Sequence, residues 1–489
     1  MTRLSDRIGV VFLGRVTVLG STLLFRMLLA RMTTQEELGT YNQVWLLYVM
    51  ISPILLYGVA TSVAYFIPQL PEEERKGFVG QTFAYLLVAS LVFSAGIYLS
   101  ASALTTYFHN PKLLPLLEIF AWYPVLALPI SFLSNLFIAL DRAKEAALSD
   151  VLYRVSTPVA VLIPLFLGRD LISALVSNNI VQAAVFCGGT AYLWWRYRGV
   201  KLTWRKGLAR AQFVYSTPIG LSYVLSSISR QLGGAIVSMF YPVGQFAVYS
   251  VGAFEIPLVK TFSSAMNSVL LPRFVRLHKE GRIEEMLGIW HKSILKLALL
   301  IMPVFTCLFL VAPQLVVLLY TERYLESAIL VRIYLCLYPI RVAQYSMLLN
   351  VTGDTRAIFW GNALYLGLNL LLTFTLLPAF GLAGPALADV LATVAMALFL
   401  LGRVRQFLRI TWRSLFPWGA LTRVMAIAIA VGVLVYPILL LPLPNVFTLL
   451  LFGVVYVPVY AGAAYKLGAL ETSDLALARD WVGLRFLFR

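Results

Sequence analysis

Residues 337–378 read LYPIRVAQYSMLLNVTGDTRAIFWGNALYLGLNLLLTFTLLP, and residues 122–164 read WYPVLALPISFLSNLFIALDRAKEAALSDVLYRVSTPVAVLIP. Tyr338-Pro339 aligns with Tyr123-Pro124, Asp354 with Asp141, and Pro378 with Pro164. Each stretch holds two apolar runs parted by a short polar turn, and runs of roughly 20 apolar residues match a bilayer core crossed by a helix. Nearer the start, Gly39 and Tyr41 align with Ala247 and Tyr249, so the offsets cluster between about 208 and 215 residues. The chain reads as a duplication. Two six-helix halves of like orientation are followed by two further helices.

The composition agrees. Of 489 residues, 60% are hydrophobic and 12% charged, whereas soluble chains carry about 25% charge. An all-α polytopic membrane protein with about 14 transmembrane helices is expected. The first span covers 8–30, the seventh 211–240, the eighth 245–271, the tenth 327–352 and the last 446–465. The lobes are then 1–205, 206–410 and a final 411–489, whose tail carries Leu477, Trp481, Leu484 and Phe488 on one amphipathic helical face. The first apolar segment is too long for a secretory signal peptide.

The net charge of +17 raises the question of a nucleic-acid partner, and its distribution answers it. Outside the spans, 26 Lys and Arg fall on one side and four, Arg31, Lys112, Arg169 and Arg323, on the other. The positive-inside rule puts both termini in the cytoplasm and leaves the basic excess to topology and anionic headgroups. No nucleic acid is called for. Cys187, Cys307 and Cys336 sit in apolar runs without CxxC spacing, so they read as buried, inert thiols, and no metal site is expected. His109, His278 and His291 are scattered, the outer loops are short, and no Walker motif appears.

Nine basic residues fall inside the spans. Lys296, Arg332 and Arg423 lie near helix ends, where long side chains snorkel to the headgroups. Arg230, Lys260 and Arg341 lie mid-span, and each would cost about 2.5–3.5 kcal/mol if it faced lipid. They are expected to face water, a counter-ion or an anionic ligand. Arg15 and Arg26, eleven residues apart, project within about 20° of one another and roughly 16 Å apart along one helix. Arg230 aligns one turn from Arg26, so the first helix of each half carries an arginine at similar depth. Cationic stripes facing a cleft between the halves suit a pyrophosphate, because guanidinium groups donate paired hydrogen bonds to phosphate oxygens. The candidate substrate-binding set is therefore Arg15, Arg26, Arg154, Arg230, Lys260 and Arg341, with Arg154 its weaker member because it reaches toward the cytoplasmic surface.

The competing reading makes latches or ion-coupling groups of Glu255 and Asp389, pairing Glu255 with Lys260 and Asp389 with an arginine from another helix. Glu255 and Lys260 lie about 140° apart on a helix, so their pairing would be interhelical. Pro53, Pro124, Pro129, Pro158, Pro257 and Pro339 interrupt helices, with Pro257 a hinge candidate. Such breaks persist where neighbours or cavity water satisfy the freed carbonyls.

RMLLARMTTQEELGTY (26–41), IALDRAKEAAL (138–148), GQFAVYSVGAFEIPL (244–258) and NVTGDTRAIFWGNALYLGLNLLLTFTLLPAFGLAGPALA (350–388) carry a resemblance that extends over the whole chain. The chain resembles the polysaccharide-biosynthesis (Wzx-type) flippases of the multidrug/oligosaccharidyl-lipid/polysaccharide (MOP) exporter superfamily. The resemblance implies a MATE-like architecture and a transporter, not an enzyme, of the bacterial inner membrane. It would move an undecaprenyl-pyrophosphate-linked O-antigen or exopolysaccharide unit to the outer leaflet by alternating access. No cofactor is implied. The driving force would be the membrane potential or a proton or sodium gradient, and the partners would be the lipid-linked oligosaccharide, membrane lipids, and polymerase and export machinery. Two alternatives stand beside this reading. A cation or drug antiporter of the same superfamily needs cavity carboxylates, which are few here, and a polyprenyl-glycan-using glycosyltransferase or ligase needs acids or histidines on a large outer loop.

Overall fold

A computed structural model describes residues 20–198, 207–253, 258–352 and 354–469, and among them every regular element is helical. In chain order these are α1 (20–32), α2 (Gln35–Leu56), α3 (Val59–Phe66), α4 (Glu72–Tyr107), α5 (Leu113–Phe120), α6 (Trp122–Ala127), α7 (Leu133–Ala139), α8 (Ala143–Phe166), α9 (Leu171–Arg196) and α10 (Leu208–Phe240). They continue with α11 (Val243–Gly252), α12 (Leu258–Lys279), α13 (Ile283–Tyr320), α14 (Ser327–Leu335), α15 (Leu337–Arg341), α16 (Tyr345–Thr352), α17 (Thr355–Phe380), α18 (Ala383–Leu408), α19 (Trp412–Leu415), α20 (Trp418–Val435) and α21 (Asn445–Lys466). The amphipathic tail over 474–489 lies outside the described residues.

The duplication is visible in the order of elements. Helices beginning at 35, 72, 113, 122, 133, 143 and 171 recur beginning at 243, 283, 327, 337, 345, 355 and 383, at separations of 208 to 215 residues. In both copies one span is broken into three short helices, α5–α7 and α14–α16, around the Tyr-Pro pairs Tyr123-Pro124 and Tyr338-Pro339. Among the described residues nine helices are long and apolar enough to cross a membrane, or ten if α2 and the 41° bent segment after it form one span. The protein is an all-α, multi-pass membrane protein. Of the fourteen expected spans, the first, seventh, eighth and tenth do not meet that criterion among the described residues, and the second meets it only with its bend included. The first is described only from residue 20, residues 254–257 of the eighth lie outside the described residues, the tenth is in pieces, and α10 is too polar.

Local chemistry sets the helix ends. Thr34 and Glu37 form a capping box ahead of α2, with Glu37 N donating to Thr34 Oγ1 at 3.2 Å and Thr34 N to Glu37 Oε2 at 2.8 Å. Asp170 caps α9 through Ser173 N at 3.0 Å. Asp354 caps α17 through Ala357 N at 3.1 Å and also accepts from Arg403 Nη2 at 3.1 Å, tying the start of α17 to the end of α18.

Contacts gather the helices into two compact units, residues 1–250 and 251–489. In the first, α10 runs along α2, α3 and α4. Two glycines permit close approaches in this unit: a Cβ on Gly39 of α2 would stand 2.2 Å from Val243 O at the start of α11, and one on Gly220 of α10 would stand 2.7 Å from Tyr57 O. In the second, an apolar core around the fully buried Trp290 joins α12, α13, α16, α18, α20 and α21.

Proline opens carbonyls in these helices, and neighbouring side chains close them. A proline lacks the N–H that would reach the carbonyl four residues back. Pro53 leaves Val49 O, which accepts from Ser227 Oγ of α10 at 2.9 Å. Pro303 leaves Leu299 O, which accepts from Tyr460 Oη of α21 at 3.2 Å. Pro313 leaves Phe309 O, which accepts from Arg332 Nε of α14 at 2.9 Å. Arg332 therefore does not snorkel as expected. Its guanidinium bonds inward and lies over the Phe309 ring, 5.5 Å from the centroid, because an open carbonyl in an apolar setting is a stronger attractor than the expected route to the headgroups. A second correction concerns Cys187, which is exposed on α9 and not buried.

Candidate substrate-binding surfaces

The seam between α10 and the helices it packs against is built from neutral polar side chains. At one end Gln212 Nε2 donates to Ser62 Oγ at 3.0 Å and Thr82 Oγ1 at 2.9 Å, while its Oε1 accepts from Gln81 Nε2 at 2.8 Å. At the other end Gln43 Nε2 donates to Ser238 Oγ at 3.0 Å, and Asn110 Nδ2 donates to Gln43 Oε1 at 2.8 Å and Thr40 Oγ1 at 2.9 Å. Asn42 Nδ2 donates to Ser250 Oγ at 2.7 Å. All of Gln43, Gln81, Asn110 and Gln212 are buried, so these partners meet the polar groups' need for hydrogen bonds without water.

A neighbouring stripe of α10 is polar for a different reason. Ser222, Ser226 and Arg230 recur every fourth residue, so they share one stripe. Ser222 and Arg230 are exposed, and an Arg230 Nη1 donates to Ser226 Oγ within the helix. Arg230 stands ten residues before the end of α10, about 15 Å along the axis. At that depth a serine-lined guanidinium is suited to water or an anion and poorly suited to hydrocarbon.

The other expected residues fall as follows. Arg26 on α1 and Arg154 on α8 are exposed in the first unit, and Arg341, half-buried on α15, belongs to the second. Arg15 and Glu255 lie outside the described residues, and Lys260 is described only as part of the α12 backbone. Asp389 on α18 sits in a network with α17: it accepts from Tyr365 Oη and from Asn369 Nδ2 at 3.3 Å, and Thr373 Oγ1 donates to Asn369 Oδ1 at 3.1 Å. The carboxylate also lies in the field of the Arg341 guanidinium. Among the described residues no cluster of His, Cys, Asp and Glu could hold a metal ion.

Sequence reading missed the neutral half of this arrangement. Gln43, Gln81, Asn110, Gln212, Tyr365 and Asn369 have no charge to mark them in an apolar text. Glutamines and asparagines inside apolar runs were the available signal, since a buried amide in a membrane helix demands a partner.

Comparison with known proteins follows the same lines. A model of the polysaccharide biosynthesis protein family matches residues 28–329. A probable lipid II flippase MurJ of Rhizobium meliloti (strain 1021) is 22% identical over 283 residues, covering 55% of this chain and 50% of that protein. The match thus spans about half the length of that curated relative. Among solved structures, the lipid II flippase MurJ in an inward closed conformation superposes with a TM-score of 0.73 at 16% identity, covering 94% of this chain and 98% of that one. The Vibrio cholerae MATE transporter VcmN in the bent form superposes with a TM-score of 0.51 at 14% identity, covering 84% and 98%. These superpositions establish a MurJ- and MATE-like fold. The chain belongs to the polysaccharide biosynthesis protein family of the MOP exporter superfamily.

Proposed function

We propose that this protein is a flippase for a polyprenyl-pyrophosphate-linked oligosaccharide, carrying it from the cytoplasmic to the outer leaflet of a bacterial inner membrane with both termini inside. The observation that carries the reading is the Ser222–Ser226–Arg230 stripe, an exposed cation in the middle of a membrane-length helix. Pyrophosphate satisfies such a cation, and a water-lined surface keeps it charged. Arg15, Arg26 and Arg154 supply further positive charge in the first unit, and Lys260 and Arg341 supply it in the second. Asp389 holds Arg341 when substrate is absent, the latch role, with Glu255 a second candidate. Family membership and likeness to the lipid II flippases support the glycan-lipid class.

No cofactor enters this reading. Outward movement of negative charge is favoured by an inside-negative potential at about 2.3 kcal/mol per charge per 100 mV, and a proton or sodium gradient is the other candidate drive. The product would pass to polymerase and export machinery. The test is leaflet-resolved transport of a defined polyprenyl-pyrophosphate oligosaccharide in proteoliposomes, with and without an imposed potential. Transport that quickens with inside-negative potential is expected. Drug efflux by the same vesicles without glycan-lipid movement would establish the antiporter reading instead.

A further inference from the structure

A groove of about 360 Å³ runs between α4 and α9 in the first unit, apart from the cationic stripe of α10. Its walls come from residues spaced one helical turn apart. Lys76, Gly80 and Phe83 line it on α4, and Leu193, Trp194 and Arg198 line it at the end of α9. The two helices meet here with the start of one beside the finish of the other, since Arg196 Nη2 pairs with Glu72 Oε1 at 3.4 Å. The groove is therefore graded. Lys76 and Arg198 stand at its charged end, while Phe83, seven residues farther into α4, stands at its apolar end. Trp194 is 66% exposed, and the Arg198 guanidinium lies over its ring, 5.1 Å from the centroid.

We infer that this groove binds an anionic membrane phospholipid. The phosphodiester would sit between Lys76 and Arg198, and one acyl chain would descend past Gly80 and Phe83. Paired cations with an aromatic at the membrane–water boundary match a phosphate head followed by a hydrocarbon chain, and basic pockets between transmembrane helices are suited to such heads. The volume falls in the range of about 300–1,000 Å³ typical of ligand clefts. The Glu72 carboxylate at this end of α4 is engaged by Arg196. Gly80 leaves room, because a Cβ there would meet nothing within 4 Å. The end of the bundle concerned is the one that the charge count assigns to the cytoplasm.

The test uses the full chain in phosphatidylcholine vesicles containing a minor fraction of brominated phosphatidylglycerol or brominated phosphatidylcholine. The readout is tryptophan quenching, with the Trp194 contribution isolated by subtracting a Trp194→Phe protein. Stronger quenching by the brominated anionic lipid is expected. The paired variant Lys76→Gln/Arg198→Gln should lose about 30-fold in apparent affinity, at roughly fivefold per cation. Gly80→Phe fills the groove while keeping both charges, and should abolish the preference in a protein whose circular dichroism and elution are unchanged. Inorganic phosphate at millimolar concentration should not displace the lipid. Equal quenching by both brominated lipids, a preference that survives Gly80→Phe, or displacement by free phosphate would overturn the proposal, the last by showing an anion site with no lipid requirement.

Discussion

The seam of α10 with α2–α4 and the core around α13 solve one problem in two ways. In hydrocarbon, helices gain little from the hydrophobic effect when they associate, so packing and interhelical hydrogen bonds must specify the contact. The seam uses amides and hydroxyls along its whole length, from Gln212 at one end to Asn110 and Gln43 at the other. The α13 core uses apolar volume, with Trp290, Ile294 and Leu297 buried, and places polar side chains where proline has opened a carbonyl. Polar residues in a membrane helix thus have separable causes. Two neighbouring stripes of α10 show two of them, one polar because it is zipped to neighbours and one polar because it carries Arg230.

Four substitutions test that contrast, ordered by expected effect. Gly39→Leu puts a side chain into the backbone of Val243, and should destabilise the first unit by about 3 kcal/mol, the upper end for overpacking. Thermal unfolding in detergent reads this, and a wild-type midpoint would mean that the contact of α2 with the start of α11 is loose. Arg332→Met strands the Phe309 carbonyl and should cost about 1–3 kcal/mol. Adding Pro313→Ala returns a donor to that carbonyl, so the double variant should recover part of the loss, and additive costs would show that Arg332 does not serve it. Ser238→Ala removes one bond from the seam, the one that Gln43 Nε2 donates, and should cost about 0.6 kcal/mol, the average for such bonds in membranes. An effect as large as that of Arg332→Met would erase the distinction between the two regions.

The smallest effect is set by pH. The Ala357 backbone N–H, followed by the Arg403 guanidinium, holds the Asp354 carboxyl below its usual range. A group depressed in this way contributes stability that is present above its unfolded value and is lost as pH falls through the lower folded value. Asp354→Asn should flatten a slight acid-side decline in unfolding temperature that the native chain shows. Because the group is partly accessible, the slope should be shallow and weaken with salt.

Much of this molecule was legible in its text. The recurrence of Tyr-Pro at 123–124 and 338–339 announced both the duplication and the broken spans, because proline's missing donor disrupts the same helix in each copy. Arg332 was misread because its partner lies 23 residues away on a different helix, and only the fold brings Pro313's vacant acceptor to it. The glutamine and asparagine pairs escaped for a related reason: an amide shows its need for a partner, not which distant residue meets it. The neutral partners of Asp389 escaped likewise, since Tyr365 and Asn369 lie on a neighbouring helix.

Arg230 bears the central claim, and one comparison tests it. Purified wild type and Arg230→Gln, matched for insertion and unfolding temperature, are reconstituted and assayed for leaflet-resolved movement of a polyprenyl-pyrophosphate oligosaccharide. Loss of one charge-assisted contact, worth about 1.5–3 kcal/mol, should slow the variant by roughly 10- to 100-fold. Movement at the wild-type rate by Arg230→Gln, or no movement by the wild type, would contradict the account.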